Sequence, residues 1–479
     1  MSIRTIFLAT TTVAALALGG CTATMAREAP QAAMTAPAPK RAKNVILFIG
    51  DGMGISTVTA ARIYAGQKLG HTGEEYVLPF ETFDHVALVK TYNSNAQVPD
   101  SAGTASAMNT GVKTNIGMLG YGPEAKNGDC RSGAGHELPL VSEEAKKHGL
   151  ALGIVSTARI THATPAAVYS RSVNRDWEAD VAIPETQRDL GCRDIAEQLM
   201  AKPFDVALGG GRAAFYGKAG GGQRLDPAAN LPAAWVKATG GTYVESTAAL
   251  AAAPKGKPVF GLFSPSHMTY TVDRKADSSE PTLTQMTQAA VSRLGTDPDG
   301  YYLMVESGRI DHGHHAGQAG YALEEAVEFA HAIQWAIDNT NPEETLILVT
   351  ADHSHVFTMS GYPRRGNDIL GLVVPPEGGG EDGGSGDGPT LASDGKPYTT
   401  LGYANGPGAV PMNTEGGRPM PETGVHAHQQ SLVPTGAETH GGEDVALYAN
   451  GPGAERVKGV MEQNLIYNVI RAAFGWMSM

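Results

Sequence analysis

Short apolar runs alternate with amphipathic stretches through most of the chain. Residues 44–50 (NVILFIG) are apolar and rich in β-branched side chains, like parallel strands that are buried on both faces. We predict further strands at 151–155, 205–208, 301–305 and 345–349, and helices at 140–148, 194–200 and 320–337. This alternation predicts an α/β fold, doubly wound, with a mostly parallel central sheet and helices on both faces. Ligands of such sheets bind at the carboxyl ends of the strands, so the polar residues there are the first candidates for a site.

A Gly-, Pro- and Asp-rich stretch at residues 371–425 interrupts this pattern. Its composition, as in PPEGGGEDGGSGDGP, predicts an insertion into one large domain and not a separate catalytic domain. The chain has 479 residues, of which 42% are hydrophobic, and this is enough for a large core. Its net charge of −13 argues against a broad basic surface for nucleic acid, so no nucleic-acid partner is expected.

The N-terminus has the layout of an export signal. Arg4 is followed by an apolar stretch, residues 6–18, that is too short to span a bilayer. The letters LGGC at 18–21 are similar to the cleavage box of bacterial lipoproteins. We therefore predict a lipoprotein-type signal peptide at 1–20.

Cleavage there would leave Cys21 as a lipidated first residue. Residues 21–43 are rich in Ala, Pro and Lys and predict a flexible tether. The prediction is a periplasmic protein anchored by lipid to the outer membrane. The alternative is a secreted protein with an ordinary cleavage site near Ala23 or Ala26.

Two cysteines, Cys130 and Cys192, remain if Cys21 carries a lipid. An oxidising, exported location favours a disulfide between them, and the alternative is two free thiols. Three cysteines in the whole chain exclude a disulfide-dense scaffold.

Acidic residues and histidines follow the last two predicted strands. Glu306, Asp311 and His315 lie in ESGRIDHGHH, and Asp352 and His353 lie in TADHSH. Neutral imidazoles and carboxylates are ordinary ligands of zinc. Packing or solvated charge explains such a concentration of these residue types poorly, so both segments predict metal ligands.

Asp51 follows the first strand in IGDGMG, where the glycines permit a sharp turn. A helix cap is the alternative role for this aspartate. Together with Asp311 and Asp352 at the same sheet edge, it predicts two divalent cations about 4 Å apart, which would clamp the attacking and leaving oxygens of a phosphoryl transfer. His440, in ETHGGEDV, would be a further ligand or, alternatively, a histidine in a surface turn.

Ser101 lies in VPDSAGTASA, at the predicted N-terminus of a helix, where free amides and the helix dipole favour an anion. An ordinary Ser or Asp N-cap is the alternative. A serine nucleophile needs activation, which a metal would give, and no G-x-S-x-G elbow surrounds this serine. Arg175, in SVNRDW, has the planar guanidinium that grips two phosphate oxygens, but its surroundings in the sequence equally fit a surface ion pair.

Six motifs together resemble those of alkaline phosphatases and stand in that family's order. They are IGDGMG, PDSAGTA, HATPAAVYSRSVNRDW, ESGRIDHGHH, TADHSH and ETHGGEDVALYANGPGA. The resemblance places residues 44–479 in one domain and implies the family's doubly wound α/β fold, usually as a homodimer. Residues 362–438 correspond to the region of the crown, a surface subdomain at the dimer interface of the animal enzymes.

The resemblance implies a role for each matching residue. Ser101 matches the serine that becomes phosphorylated, and Arg175 matches the arginine that binds the substrate phosphate. The implied metal ligands are Asp311, His315 and His440 for a first zinc ion, Asp51, Ser101, Asp352 and His353 for a second zinc ion, and Asp51, Thr164 and Glu306 for a magnesium ion.

Two further positions beside the metal ligands carry His162 and His312. The best-known bacterial members have Asp and Lys there, whereas the animal members, like this sequence, have His at both. Cys130 and Cys192 also resemble a disulfide pair of the animal-type enzymes.

The implied activity is the hydrolysis of phosphate monoesters to an alcohol and inorganic phosphate through a phosphoserine. The main alternative is a phosphodiesterase of the same superfamily, but such enzymes generally lack the third metal site and the arginine, so Glu306, Thr164 and Arg175 favour monoesters. A sulfatase would need a C/S-x-P-x-R motif, which is not found around Ser101. An exported metal- or phosphate-binding protein would explain the histidines and acids, but not a serine among them.

Overall fold

The computed structural model of this chain describes residues 40–378, 388–410 and 416–477. The predicted signal peptide, Cys21 and most of the tether lie outside the described residues. From Lys40 onward the chain forms one compact unit. No helix within the described ranges is long and apolar enough to cross a membrane.

The described chain contains fifteen strands, numbered here in chain order. They are β1 Asn44–Gly50, β2 His85–Lys90, β3 Ala151–Arg159, β4 Val206–Gly210, β5 Thr242–Val244, β6 Val259–Leu262, β7 Tyr301–Ser307, β8 Thr345–Ala351, β9 Ser354–His355, β10 Phe357–Met359, β11 Leu401–Gly406, β12 Ser431–Pro434, β13 His440–Gly441, β14 Val445–Asn450 and β15 Gly459–Glu462.

Thirteen α-helices accompany these strands within the same described ranges. They are α1 Ile55–Lys68, α2 Ser101–Thr110, α3 Cys130–Gly133, α4 Val141–Lys147, α5 Ala163–Tyr169, α6 Glu185–Arg188, α7 Ile195–Met200, α8 Leu231–Thr239, α9 Thr247–Ala252, α10 Leu283–Leu294, α11 Arg309–His315, α12 Ala319–Asn339 and α13 Leu465–Phe474.

Ten strands form the central sheet in the order β15-β2-β14-β8-β1-β7-β3-β4-β6-β5. All neighbours from β8 to β5 are parallel, while β14 pairs antiparallel with both β8 and β2. The five predicted strands are β1, β3, β4, β7 and β8, so the mostly parallel α/β sheet is confirmed. The three predicted helices correspond to α4, α7 and α12.

Helices cover both faces of the sheet because successive side chains of its strands point in opposite directions. On β7, the hydroxyl of Tyr302 donates to Asn109 of α2, at 3.2 Å. The next residue, Leu303, lies on the other face beside Leu294 of α10, where Gly153 of β3 leaves room for both leucines. One helical layer contains α1, α10, α11 and α12, and the other contains α2, α4, α5, α7 and α13.

The insertion, residues 362–438, packs against α1, where Nε2 of Gln67 donates to the carbonyl of Asn367 at 2.7 Å. Its strands β11 and β12 form a small three-stranded sheet with β10, in the order β10-β11-β12. The hydroxyl of Tyr403 in β11 lies 2.9 Å from Nδ1 of His314 in α11, so the insertion contacts the helix that follows β7.

Cys130 and Cys192 are bonded to each other, with their Cα atoms 5.6 Å apart. The predicted disulfide is therefore confirmed. It links the start of α3 to the loop before α7 across 62 residues of chain.

Candidate active site

The carboxyl ends of three adjacent parallel strands lie side by side and form the base of the site. In the order β8-β1-β7, Gly50 is in register with Ala351 on one side and with Ser307 on the other. Asp51 and Asp352, the next residues of β1 and β8, therefore emerge side by side. The backbone turns sharply at Gly52, which has φ +68° and where a Cβ would lie 2.2 Å from a nitrogen of His355. Glycine is required there both by the backbone conformation and by the close approach of the ring.

Ser101 is the first residue of α2, and its neighbour Asp100 is the helix cap. The Asp100 carboxylate accepts from the amide of Gly103 at 3.1 Å, so the capping role falls to Asp100 and leaves the serine hydroxyl free. Ser101 is 2% exposed, and its Oγ lies 3.1 Å from Nε2 of His353 and 3.4 Å from Oδ1 of Asp51. The helix N-terminus thus places a buried hydroxyl directly against residues that follow β1 and β8.

Asp51, Asp352 and His353 form the first of three clusters and are called the Asp352 group. Nε2 of His353 lies 3.4 Å from Oδ1 of Asp51 and 3.5 Å from Oδ2 of Asp352. The other ring nitrogen of His353 lies 3.2 Å from the carbonyl of Ser354, which makes it the protonated one. The lone pair of Nε2 therefore points at the two carboxylates, an arrangement that suits a metal ion.

The second cluster, the Asp311 group, contains Asp311, His315 and His440 together with His355. Oδ1 of Asp311 lies 3.2 Å from Nε2 of His315, 3.4 Å from Nε2 of His440 and 2.9 Å from Nε2 of His355. Four potential ligand atoms thus converge within reach of one cation. The helix α11 supplies two of them because Asp311 and His315 are four residues apart on one face.

The tautomers of the Asp311 group show why a cation fits it. Nδ1 of His315 lies 2.6 Å from the carbonyl of Glu438, and Nδ1 of His440 lies 2.8 Å from the carbonyl of Pro99. Each Nδ1 therefore carries the proton, and the two Nε2 lone pairs face each other at 3.1 Å. Two lone pairs and a carboxylate oxygen repel one another unless a cation lies between them.

The third cluster, the Glu306 group, lies on the other side of Asp51 and contains Asp51, Glu306, His162 and Thr164. Oδ2 of Asp51 and Oε1 of Glu306 are buried and accept no hydrogen bond from any described residue. A nitrogen of His162 lies within 4.8 Å of a carboxylate oxygen of each. Thr164 is fully buried in α5, and the orphaned oxygens fit a further hard cation.

The electrostatics of these buried carboxylates agree with metal binding. Burial, followed by repulsion from Asp352 and Asp311, raises the pKa of Asp51 well above its ordinary value. Burial also raises the pKa of Asp352, and it raises that of Glu306 to about 7. Burial works in the same direction on Asp311, but His315, His355 and His440 together outweigh it and hold the pKa of Asp311 well below its ordinary value. Several carboxylates packed this closely are costly without cations, and divalent ions would offset that cost.

A cleft of about 270 Å³ opens above Ser101 and is lined by members of the Asp311 and Glu306 groups. Its lining residues are Ser101, His162, Arg175, Asp176, Glu178, Asp311, His312, His315 and His440. Nη1 of Arg175 donates to Asp100 at 3.1 Å, and Nη2 lies 3.1 Å from Nε2 of His162. The ion pair of Arg175 is therefore within the site, and it orients the guanidinium beside the serine hydroxyl.

Comparison with known proteins assigns the chain to a family. A family model described as alkaline phosphatase matches residues 42–476. The chain belongs to the alkaline phosphatase family. It is 44% identical over 447 residues to the tissue-nonspecific alkaline phosphatase of Gallus gallus, covering 89% of this chain and 83% of the relative. The human tissue-nonspecific isozyme is 43% identical over 457 residues, with 90% and 83% covered.

Solved structures show the same alkaline phosphatase fold. The enzyme of Thermus thermophilus superposes with a TM-score of 0.66 at 25% identity and covers 92% of this chain and 93% of its own. The enzyme of the Antarctic bacterium TAB5 gives a TM-score of 0.61 at 22% identity and covers 92% and 100%. This member of the alkaline phosphatase family is accordingly an enzyme that hydrolyses phosphate monoesters.

The structure brings together every site residue predicted from the alkaline phosphatase motifs and adds others. His355 is the clearest addition, since it stands in TADHSH beside the predicted ligands and joins the Asp311 group. Asp100 stands in the motif PDSAGTA, but the motif does not show its ion pair, because the partner, Arg175, lies 75 positions away. The ring centroid of His267 lies 4.0 Å from that of His312, and no motif in the sequence predicts that His267 lies at the site.

Proposed function

We propose that this alkaline phosphatase forms a phosphoserine at Ser101, at a site that holds two zinc ions and one magnesium ion. The observation that carries the proposal is the position of Ser101 Oγ. It lies 3.1 Å from His353 and 3.4 Å from Asp51, in the cleft that Arg175 lines. A serine placed between potential metal ligands and a guanidinium is suited to attack a bound phosphate and not only to bind it.

The proposed ligands follow the three clusters. They are Asp311, His315 and His440 for the first zinc ion, Asp51, Ser101, Asp352 and His353 for the second, and Asp51, Glu306 and Thr164 for the magnesium ion. When bound, these ions would neutralise the charge that develops on the attacking, leaving and bridging oxygens of the phosphoryl group.

The residues of the chain position the substrate. Arg175 would bind two oxygens of the phosphate through its forked guanidinium, and its ion pair with Asp100 fixes the direction of that fork. The N-terminus of α2 adds backbone amides and a dipole that favour the anion next to Ser101. A monoester has three terminal oxygens, so one would remain for the metal sites when Arg175 binds two, whereas a diester has only two in all.

The reaction would take two displacements at phosphorus. Ser101 loses its proton to water, its Oγ bonds to phosphorus, and the bond to the leaving group breaks, so that the departing alkoxide takes up a proton from water and leaves as the alcohol. Water then attacks the phosphoserine from the opposite side, the bond between phosphorus and Oγ breaks, one proton of that water returns to Oγ, and inorganic phosphate is released. Two inversions give net retention of configuration at phosphorus, which a chiral phosphate substrate would report.

We also propose that the protein is exported, lipid-anchored at Cys21 and dimeric. Export and the anchor are supported by the apolar stretch at 6–18 and the LGGC box, and dimerisation by the resemblance of residues 362–438 to the crown region of dimeric relatives.

The deciding experiment compares an aryl phosphate monoester with the matching diester at alkaline pH. We expect fast monoester turnover that is lost on chelation and restored by zinc and magnesium together. Ser101→Ala should lower kcat by roughly a thousandfold or more while the protein still binds metal. Ser94→Ala, which changes an exposed serine on a nearby loop, is the matched control and should retain full activity. Faster turnover of the diester would contradict the roles of Arg175 and Glu306.

A further inference from the structure

Glu438 is a fully buried carboxylate at the point where the insertion returns to the site. It is 1% exposed and stands two residues before His440. Its Oε2 lies 2.6 Å from Nδ1 of His355, and its Oε1 accepts from the amide of Val356 at 2.8 Å. Both carboxylate oxygens are therefore engaged, and the direction of the carboxylate is fixed.

The main chain of Glu438 contacts a second histidine of the Asp311 group. Its carbonyl lies 2.6 Å from Nδ1 of His315, and its amide donates to the carbonyl of His315 at 3.0 Å. This one residue thus contacts both His355 and His315 on the side of each ring that faces away from Asp311.

The opposite nitrogens of these two rings point at the same carboxylate oxygen. Nε2 of His355 lies 2.9 Å from Oδ1 of Asp311, and Nε2 of His315 lies 3.2 Å from it. His355 is also paired with His440 through the strands β9 and β13, so its backbone is fixed as well. A rotation of either ring would disturb Asp311, and Glu438 is the contact that opposes both rotations.

We propose that Glu438 is a positioning residue for the first zinc ion. Its side chain holds His355 against Asp311, and its carbonyl keeps His315 in the tautomer whose lone pair faces the ion. The inference rests on the proposed function, since it takes Asp311, His315 and His440 as the ligands of that ion. Hydrogen-bond partners behind metal ligands typically contribute about 10- to 100-fold to metal affinity, and that sets the expected effect.

A purely structural role is the competing explanation. Because Oε1 accepts from Val356, Glu438 also attaches the end of the insertion to the segment between β9 and β10. Glu438→Gln separates the two roles, since the amide oxygen still accepts from Val356 while the NH₂ group replaces the acceptor that His355 needs. Glu443→Gln is the matched control, because Glu443 accepts from Ser354 Oγ at 2.6 Å but contacts no proposed ligand.

The test measures the release of zinc from the loaded enzyme to a chelator, with zinc as the only added metal. We expect two zinc equivalents in the wild type, and one of the two should leave 10- to 100-fold faster from Glu438→Gln. Glu443→Gln should match the wild type. Cobalt substitution gives a second readout, since the visible absorption of one of two cobalt equivalents should change in Glu438→Gln alone.

Stability is measured separately on the metal-free proteins. Zinc release like that of the wild type, or a lowered melting temperature of metal-free Glu438→Gln without faster release, would overturn the positioning role. Glu438→Asp keeps the charge and should release zinc at a rate between those of the wild type and Glu438→Gln, which covers the case of an insoluble glutamine variant. A wild-type protein that binds no zinc would instead overturn the proposed function and this assignment with it.

Discussion

His312 and His162 line the cleft without contributing positive charge. Burial lowers the pKa of His312 to about 3 and that of His162 well below its ordinary value. Both imidazoles are therefore neutral at any pH where the enzyme would work. All residues that line the cleft lie within the described ranges. Among them, Arg175 alone presents a permanently positive side chain to a bound phosphate.

Replacing His312 with lysine should tighten product inhibition. An ammonium group at this position adds a positive charge beside the bound phosphate dianion, and the attraction should lower the inhibition constant of inorganic phosphate roughly three- to tenfold. This inhibition constant is measured by steady-state kinetics with added phosphate at alkaline pH. His331→Lys adds the same charge at an exposed position of α12 and should leave the constant unchanged. Unchanged or weaker inhibition in His312→Lys would contradict the expectation.

At the scale of residues, the sequence predicts ligands better than it predicts their supports. Asp51, Asp352 and His353 could be found because each stands one or two residues after a strand, and strands that end together place such residues together. Asp100 and Glu438 could not, because their roles depend on residues distant in the chain, Arg175 at 3.1 Å and His355 at 2.6 Å. A carboxylate of this kind looks the same in a sequence whether it faces solvent or a histidine.

At the scale of elements, the strands found from the sequence are those buried on both faces. β1, β7 and β8 are continuous apolar runs and were predictable as such. β2 and β14 alternate between buried and more exposed residues, because one face of the antiparallel edge lacks a full helical cover. β6 is only four residues long and contains Gly261. Short or half-buried strands of this kind produce no continuous run of apolar residues in the sequence, so they are not predicted from it.

The long helix α12 carries a buried acid whose ionisation bears on stability. Glu325 is 2% exposed and accepts from the amide of Thr271 at 2.5 Å. Burial raises the pKa of Glu325 to about 7, although this hydrogen bond and the charge of Arg309 act in the opposite direction. An unfolded glutamate titrates near 4.3, so the folded protein loses stability as the pH rises from about 4 to 7. The full cost persists at alkaline pH.

Glu325→Gln should therefore stabilise the protein at alkaline pH. Glutamine keeps an acceptor for Thr271 but carries no charge, so the gain should approach about 3 kcal/mol above pH 8 and vanish near pH 4. Melting temperatures of the metal-loaded wild type and variant between pH 4 and 9 would show the difference growing by a few degrees. Glu185→Gln, at an exposed position of α6, should show no such pH dependence. A variant that is less stable than the wild type at every pH would show that attraction to the charge of Arg309 outweighs burial.

At the scale of the whole molecule, a chain of net charge −13 binds an anionic substrate, so local charges around the cleft decide which anions enter. Glu178 is paired with Arg159 at 2.6 Å, and Asp100 is paired with Arg175 at 3.1 Å. Asp176 also lines the cleft, is exposed, and has no ion-pair partner among the described residues. Once metal ions neutralise Asp311, Asp176 is the uncompensated negative charge at the mouth of the cleft.

Asp176 should therefore favour monoesters whose leaving group is cationic over those whose leaving group is anionic. Asp176→Asn should raise kcat/KM for 3-phosphoglycerate, whose leaving group is anionic, and lower it for phosphoethanolamine, by roughly threefold for each unit of charge on the leaving group at low salt. The effect should shrink in 0.5 M salt because a charge at an exposed site is screened.

Asp189→Asn is the control. It removes the same charge from an exposed position outside the cleft lining and should leave the ratio of kcat/KM for the two substrates unchanged. If both variants shift the ratio equally, the net charge of the molecule selects the substrate. If neither does, the metal ions and Arg175 dominate the field in the cleft.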